Sequence, residues 1–459
     1  MNFTKNQQLS WIDIFRLGMV QLGIGGMVVI TTSTLNRVMV VELLLPAAVP
    51  GLLVTLHYFV QMLRPRMGYG VDKGGKATSW ICGGLIVLAL GSIISCFAIV
   101  PMYEDKLTGL LIATFGFLLI GIGVSAAGTS LLTFLAKNVS EEKRAASAGV
   151  LWLMMIAGFA ITAMITGSLL DPFTPTRLFI VCCSITLILL CVALIAIWGI
   201  ETKIIQERQN IVHQKESPSK GFFNTISAIW EERETRMFTI FVFASMFAFS
   251  MQDLILEPFA GSVFYLTPGE TTKLSGMQHA GVFLGMIFVS IICSGRFSAR
   301  KIGSLNLWIT SGCALSCLAL VTLYFLASGN TAISLQKTVI FLGVSNGIFS
   351  IAAIGLMMQL AKEGGKRKEG IRMGLWGASQ AIAFALGALM GTVFSDLFSY
   401  LFQSAREGYG TVFLLEAAIF GLAVIISLKL KSANHKGEDE KKENCPKLSR
   451  DNFVCEIRS

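Results

Sequence analysis

ATSWICGGLIVLALGSIISCFAIV, residues 77–100, runs for 24 positions without one Asp, Glu, Lys or Arg. As an α-helix rising 1.5 Å per residue it is about 36 Å long, enough to cross the roughly 30 Å hydrocarbon core of a bilayer. Similar stretches recur on both sides of it, over residues 17–36, 43–63, 107–136, 145–170, 178–200, 237–252, 274–295, 302–336, 338–361 and 373–395, and over 408–428 with Glu416 as the lone interruption. The 302–336 run exceeds one span, but Ser-Gly-Asn-Thr-Ala at 328–332 is a loop signal, so it reads as one helix and a short turn. The pattern predicts an all-α membrane protein of twelve transmembrane helices. Composition agrees: of 459 residues 54% are hydrophobic and 14% charged, against about 25% charged in soluble domains.

Basic residues outnumber acidic ones, 37 to 28, for a formal charge of +9. In a soluble chain this excess would suggest a nucleic-acid partner; here the bases flank apolar spans, which topology explains, and no nucleic acid is implied. With the N-terminus inside, the cytoplasmic segments hold 31 Lys and Arg, and the opposite face holds six, Arg37, Lys106, Arg177, Lys273, Lys337 and Arg406. The positive-inside rule therefore predicts that both termini are cytoplasmic. The N-terminal MNFTKNQQLSWIDIFRLG lacks the basic start, short apolar core and small-residue site of a signal peptide, so the first helix is expected to insert uncleaved. Eight of the ten cysteines lie in apolar runs and two, Cys445 and Cys455, near the C-terminus; none forms a CxxC pair, so they read as small core or lipid-phase residues rather than a disulfide framework or zinc site.

The longest polar interruption, 201–236, divides the spans six and six. The expected organisation is an N-terminal six-helix half over 1–200, a cytoplasmic linker over 201–236, a C-terminal half over 237–430 and a solvated, disordered tail over 431–459. Two places repeat between the halves. Gly68-Tyr-Gly-Val-Asp72-Lys73-Gly-Gly75-Lys76 follows the second span, and Gly295-Arg-Phe-Ser-Ala-Arg-Lys-Ile-Gly303 follows the eighth, similar in glycines and bases but one residue longer between its first and last glycines and without the Asp. LNRVMVVELLLP, containing Glu42, follows the first span as MQDLILEPFAG, containing Glu257, follows the seventh. Two parallel six-helix repeats are the major facilitator architecture.

Gly68, Asp72, Lys73, Gly75 and Lys76 match every defined position of G-x-x-x-D-[RK]-x-G-[RK], and the segment resembles that signature of the major facilitator superfamily. Its glycines permit a tight turn, and Asp72 can accept from a helix N-terminus or pair with a base across the half interface, which makes this a candidate gating loop. A narrower resemblance rests on LNRVMVVEL (35–43), LRPRMGYGVDKGG (63–75) and QDLILEP (252–258), which together look like the PucC/LhaA branch. It covers the whole twelve-helix body and not the tail. The resemblance implies a carrier or assembly factor in the inner membrane of a phototrophic bacterium that delivers (bacterio)chlorophyll to light-harvesting apoproteins. It further implies (bacterio)chlorophyll as bound cargo rather than a covalent cofactor, and light-harvesting apoproteins and pigment-synthesis enzymes as partners within the lipid bilayer.

Ionisable groups in hydrocarbon are costly and are candidates by default. Glu416, eight residues into its run, reads as a proton site, a buried acceptor or a packing residue. Arg37 and Glu42, with Asp253 and Glu257 in the other half, stand at the non-cytoplasmic ends of the first and seventh spans, as a gate or partner patch, or else an interfacial ion-pair belt. Asp253 and Glu257 are four apart and share a face if the helix continues to Pro258; Arg37 and Glu42 are five apart and are expected to meet less well. A neutral imidazole can give one nitrogen to the magnesium of a chlorin while a hydrogen bond holds the other. His57, mid-way along the second span, is the better-placed candidate, and His279, near the start of the eighth, the second; the alternative for each is a hydrogen bond to a neighbouring helix. The 32 Phe and 19 Met suit a large flat ligand, but lipid-facing helices need such residues anyway.

Three functions are compatible with such a chain: the pigment carrier, a proton-coupled exporter of a small hydrophobic molecule, and an enzyme of pigment synthesis. Proton-coupled drug exporters of the superfamily usually carry an Arg in the fourth helix and a glycine-proline signature in the fifth, whereas residues 107–136 contain no Arg and 145–170 no Pro. An enzyme would need clustered carboxylates for a metal-diphosphate or a nucleophile with its base, and the spans offer neither, so no catalytic or metal site is expected.

Overall fold

The computed structural model describes residues 9–64, 77–201, 232–293, 304–329, 333–363 and 369–443. These form twelve helices in two sets of six. The first set is α1 Trp11–Glu42, α2 Ala48–Val60, α3 Ala77–Met102, α4 Lys106–Asn138, α5 Glu141–Leu170 and α6 Pro175–Ile197. The second is α7 Arg233–Phe264, α8 Pro268–Cys293, α9 Leu305–Ala327, α10 Leu335–Glu363, α11 Glu369–Phe402 and α12 Ala405–Glu443. Eleven are long and apolar enough to cross a membrane. An even number of passes puts the start of α1 and the end of α12 on one face, here the terminal face; the other is the distal face.

The pairing within the halves is the same. In the first, α1 packs on α5 and α6, α3 on α4 and α6, and α2 on α4; in the second, α7 packs on α11 and α12, α9 on α10 and α12, and α8 on α10. Adding six to each number converts one set into the other, so the chain is a parallel structural repeat. Two apolar cores result, one drawn almost wholly from residues 9–200 and the other from 238–426. The halves meet through α2 against α11 and α5 against α8, a pair of contacts that the same repeat relates.

With no hydrophobic force between helices in lipid, close approach depends on small residues. Gly281 and Gly285 of α8 face Gly343 and Gly347 of α10, two GxxxG pairs interlocked. A Cβ on Gly281 would lie 2.6 Å from the carbonyl oxygen of Ile340, and one on Gly347 would overlap that of Val282, so the two backbones are in contact.

Three boundaries differ from the sequence reading. The second apolar run, 43–63, contains a helix of only 13 residues and a 3-10 turn, because Leu43–Pro46 form the link from α1 and Leu44 takes a left-handed φ of 52°. Pro268 starts α8 five residues before Lys273, so His279 is the twelfth of its 26 residues rather than near its start. α12 continues through Glu443, past the expected start of a disordered tail at 431; Lys and Glu dominate that segment and both favour helix. The expected linker falls largely in 202–231, and the last residues of the tail in 444–459, outside the described residues.

Candidate functional site

The middle of α1 reads Thr31-Thr32-Ser33-Thr34, four hydroxyls in an apolar span. The Thr31 and Thr32 hydroxyls donate to the carbonyl of Val28, at 2.8 and 3.2 Å, and the helix widens into a π turn over Ile30–Leu35 and again over Val38–Glu42. Hydroxyl back-bonding disturbs the α ladder, and π turns swing the side chains that follow out of α register. Here they carry Ser33, Asn36 and Arg37 across the half interface.

On the facing helix, Pro258 sits inside α7. It has no N–H, so the carbonyl of Leu254, four residues back, loses its helical donor. Asn36 supplies the replacement, its Nδ2 donating to Leu254 O at 2.6 Å. One turn away Ser33 donates to Glu257, and its hydroxyl lies 3.0 Å from that of Ser275 of α8. The Thr272 hydroxyl lies 3.5 Å from Glu257 Oε2 and 3.4 Å from the hydroxyl of Thr34. Arg37, 2% exposed, pairs with Glu42 and donates from Nη2 to Leu266 O at 2.8 Å, in the turn between α7 and α8. Five residues apart, Arg37 and Glu42 meet because the intervening turn is π, which corrects the expectation from α spacing.

Asp253 and Glu257 do share a helix that runs on through Pro258 to Phe264, yet they serve different neighbours. Glu257 is buried against Ser33, while Asp253 faces His279, with 3.9 Å between Oδ1 and Nε2. His279 Nδ1 donates to Ser275 O at 2.9 Å, and the imidazole meets the edge of Phe159 of α5 at 5.0 Å. Both groups stand eleven residues from the distal ends of their helices, about 17 Å deep at 1.5 Å per residue. The Asp253 side chain keeps 27% of its surface open at that depth.

Two further carboxylates, unanticipated by the sequence reading, close the distal side. Asp396 near the end of α11 accepts from the backbone N–H groups of Ala47 and Ala48 at 2.9 and 2.8 Å, capping α2. Asp171, just after α5, accepts from Thr267 Oγ1 at 2.8 Å and Gly269 N at 3.3 Å, capping α8. Under the six-helix shift these clamps are counterparts. Each bridges the halves by placing a negative charge on a helix N-terminus, where the macrodipole favours it. An uncharged-run search stops at 170 and 395, immediately before each, so they register in sequence only as the ends of spans.

His57 is placed differently from its expectation. It lies in the last turn of α2 and packs against Gly121 of α4. Its Nδ1 donates to Val54 O at 3.2 Å, and Gln61 Nε2 donates to its Nε2 at 2.8 Å, so both nitrogens are engaged and neither is free for a metal. Glu416 is fully buried in α12, remote from the half interface. Gly68, Asp72, Lys73, Gly75 and Lys76 of the loop motif, and its counterpart 295–303, lie outside the described residues. Among the described residues no group of three His, Cys, Asp or Glu is spaced to hold a metal ion.

The chain is similar to known proteins over nearly its full length. It is 46% identical over 425 residues to the protein named bacteriochlorophyll synthase 44.5 kDa chain of Rhodobacter capsulatus, covering 93% of this chain and 96% of the relative. It is 28% identical to the protein PucC of Rhodobacter capsulatus, covering 93% of each. Among solved structures, a bacterial homologue of the human lysosomal transporter Spinster superimposes with a TM-score of 0.62 at 12% identity, over 91% of this chain and 96% of that one, which establishes a shared transporter fold. The family model described as PUCC protein matches residues 34–435, and this multi-pass membrane protein of the major facilitator fold therefore belongs to the PucC family.

Proposed function

We propose that this protein is a carrier or assembly factor that delivers (bacterio)chlorophyll to light-harvesting apoproteins in the inner membrane of a phototrophic bacterium, with the terminal face cytoplasmic. The observation that carries the reading is the setting of His279. It stands at mid-depth where the halves meet, its Nδ1 proton is committed to Ser275 O, and its Nε2 points at the partly open Asp253 from beyond hydrogen-bond reach. With Nδ1 so anchored, Nε2 is the nitrogen left for a ligand, and an imidazole nitrogen is what the magnesium of a chlorin can take. The named relatives from a phototrophic bacterium support the pigment, and the transporter fold supports carriage rather than synthesis. The word "synthase" in the name of the 46% identical relative belongs to that chain and assigns no reaction to this one.

The test is to purify the full chain in mild detergent from a pigmented host and record its absorption spectrum. A magnesium tetrapyrrole should co-purify, and His279→Leu should lower its yield roughly tenfold or more, the scale on which lost metal ligation is felt. His57→Leu should leave it unchanged. Pigment-free wild-type protein would remove the reading and favour a proton-coupled exporter; unchanged pigment in the His279 variant would remove His279 as ligand.

A further inference from the structure

The C-terminal half encloses polar groups that the contacts between the halves do not use. Glu416 of α12, Gln252 of α7 and Asn346 of α10 are each fully buried. Both carboxylate oxygens of Glu416, both polar atoms of Gln252 and Nδ2 of Asn346 lack any hydrogen-bond partner. Asn346 Oδ1 accepts from Ser316 of α9 at 2.8 Å.

Ring contacts fix their relative heights. Phe349 of α10 meets Phe420 of α12 at 5.6 Å, and these helices run parallel, so Asn346 and Glu416, three and four residues back, stand at one level. Phe259 of α7 meets Phe413 of α12 at 4.9 Å with the helices antiparallel. Gln252 is seven residues below the first and Glu416 three below the second, an axial offset of about 6 Å. Helices α7, α9, α10 and α12 pack around this level as one bundle.

Among the described residues no cation stands near enough to neutralise the carboxylate. α9 contains no Asp, Glu, Lys, Arg or His, and the bases of α7, α10, α11 and α12 lie at their ends: Arg233 and Arg236, Lys337 and Lys362, Arg372, Arg406 and Lys429. Asp253 and Glu257 of α7 face α8 and α1 instead, and Asp396 of α11 caps α2. An ionised, unpaired carboxylate is strongly disfavoured in such surroundings, whereas a mixed set of unsatisfied donors and acceptors is what ordered water bridges. A metal ion would take the oxygens and leave the amide N–H groups unpaired. The first half has no equivalent acid: α6, the counterpart of α12, carries only Arg177, at its start.

We propose that Glu416, Asn346, Gln252 and Ser316 form a second site, inside the C-terminal half, that binds a proton and ordered water. Glu416 holds the proton as a carboxylic acid, and the amides and the Ser316 hydroxyl hold the water that contacts it. The site is independent of the pigment reading and shares no residue with it.

Infrared spectroscopy of the purified full chain tests this. The difference between wild type and Glu416→Gln at neutral pH should contain a carboxylic acid C=O band, and that band should shift to lower wavenumber in D2O. Asn346→Leu, which keeps the acid, should raise its wavenumber by removing a hydrogen-bonding neighbour, and it provides the comparison if the Gln variant does not fold. Absence of a Glu416-dependent acid band would overturn the protonated site. A band unmoved by D2O would overturn the water, and one unmoved by Asn346→Leu would remove Asn346 from the site.

Discussion

Pro258 breaks one hydrogen bond inside α7 and thereby creates one between the halves, because the Leu254 carbonyl it orphans is the acceptor for Asn36. A buried acceptor without a donor costs about 1–3 kcal/mol. Asn36→Ala should therefore lower the thermal midpoint of the detergent-solubilised protein by an amount on that scale. In a Pro258→Ala background the same substitution should cost markedly less, since residue 258 then donates to Leu254 O itself. Equal losses in both backgrounds would show that Asn36 acts elsewhere. Arg37 makes a second connection of this kind, and its charge is matched by Glu42. Arg37→Leu leaves a half-exposed carboxylate and an unpaired Leu266 carbonyl, so it should destabilise more than Glu42→Gln, which keeps a polar partner within reach; denaturation of the two variants side by side decides it.

Helices α2 and α8 owe their N-terminal caps to the opposite half, so capping them and closing the distal side are one event. Loss of an N-cap acceptor costs about 1 kcal/mol, and two such losses would shift a two-state opening equilibrium by roughly 30-fold if they act independently. With the native cysteines replaced, a cysteine at Thr392, a turn inside the Asp396 clamp, should become much more reactive to an impermeant maleimide in the Asp171→Ala, Asp396→Ala double variant. Unchanged labelling would mean that the apolar contacts between α2 and α11 close the face without the clamps. The interlocked glycines of α8 and α10 make a different demand. Gly347→Ala places a methyl against the Val282 carbonyl and must push backbones apart, at a cost of about 1–3 kcal/mol from overpacking, whereas Gly377→Ala meets open space and should change the melting temperature little.

For the molecule as a whole, the 31-to-6 distribution of basic residues predicts that both ends of the chain lie inside, so a C-terminal reporter active only outside the cytoplasm should stay silent. Hydropathy and charge are read residue by residue and need no partner, which is why twelve helices, their order and the six-and-six plan were legible in the chain itself. The sequence also singled out Arg37, Glu42, Asp253, Glu257, His279 and Glu416, since an ionisable group in an apolar run is conspicuous wherever it points. What each of them touches was not legible. A π turn brings Arg37 to Glu42, a proline hands the Leu254 carbonyl to Asn36, and Ser275 rather than a neighbouring helix holds His279, while His57 spends both nitrogens on its own helix and Gln61. Asp171 and Asp396 look in sequence like ordinary ends of spans and become clamps only when the halves dock. Local periodicity determines which segments become helices and which faces are apolar; the partner of a polar group is chosen by contacts between residues as far apart as Ala47 and Asp396, and only the packed tertiary structure decides those.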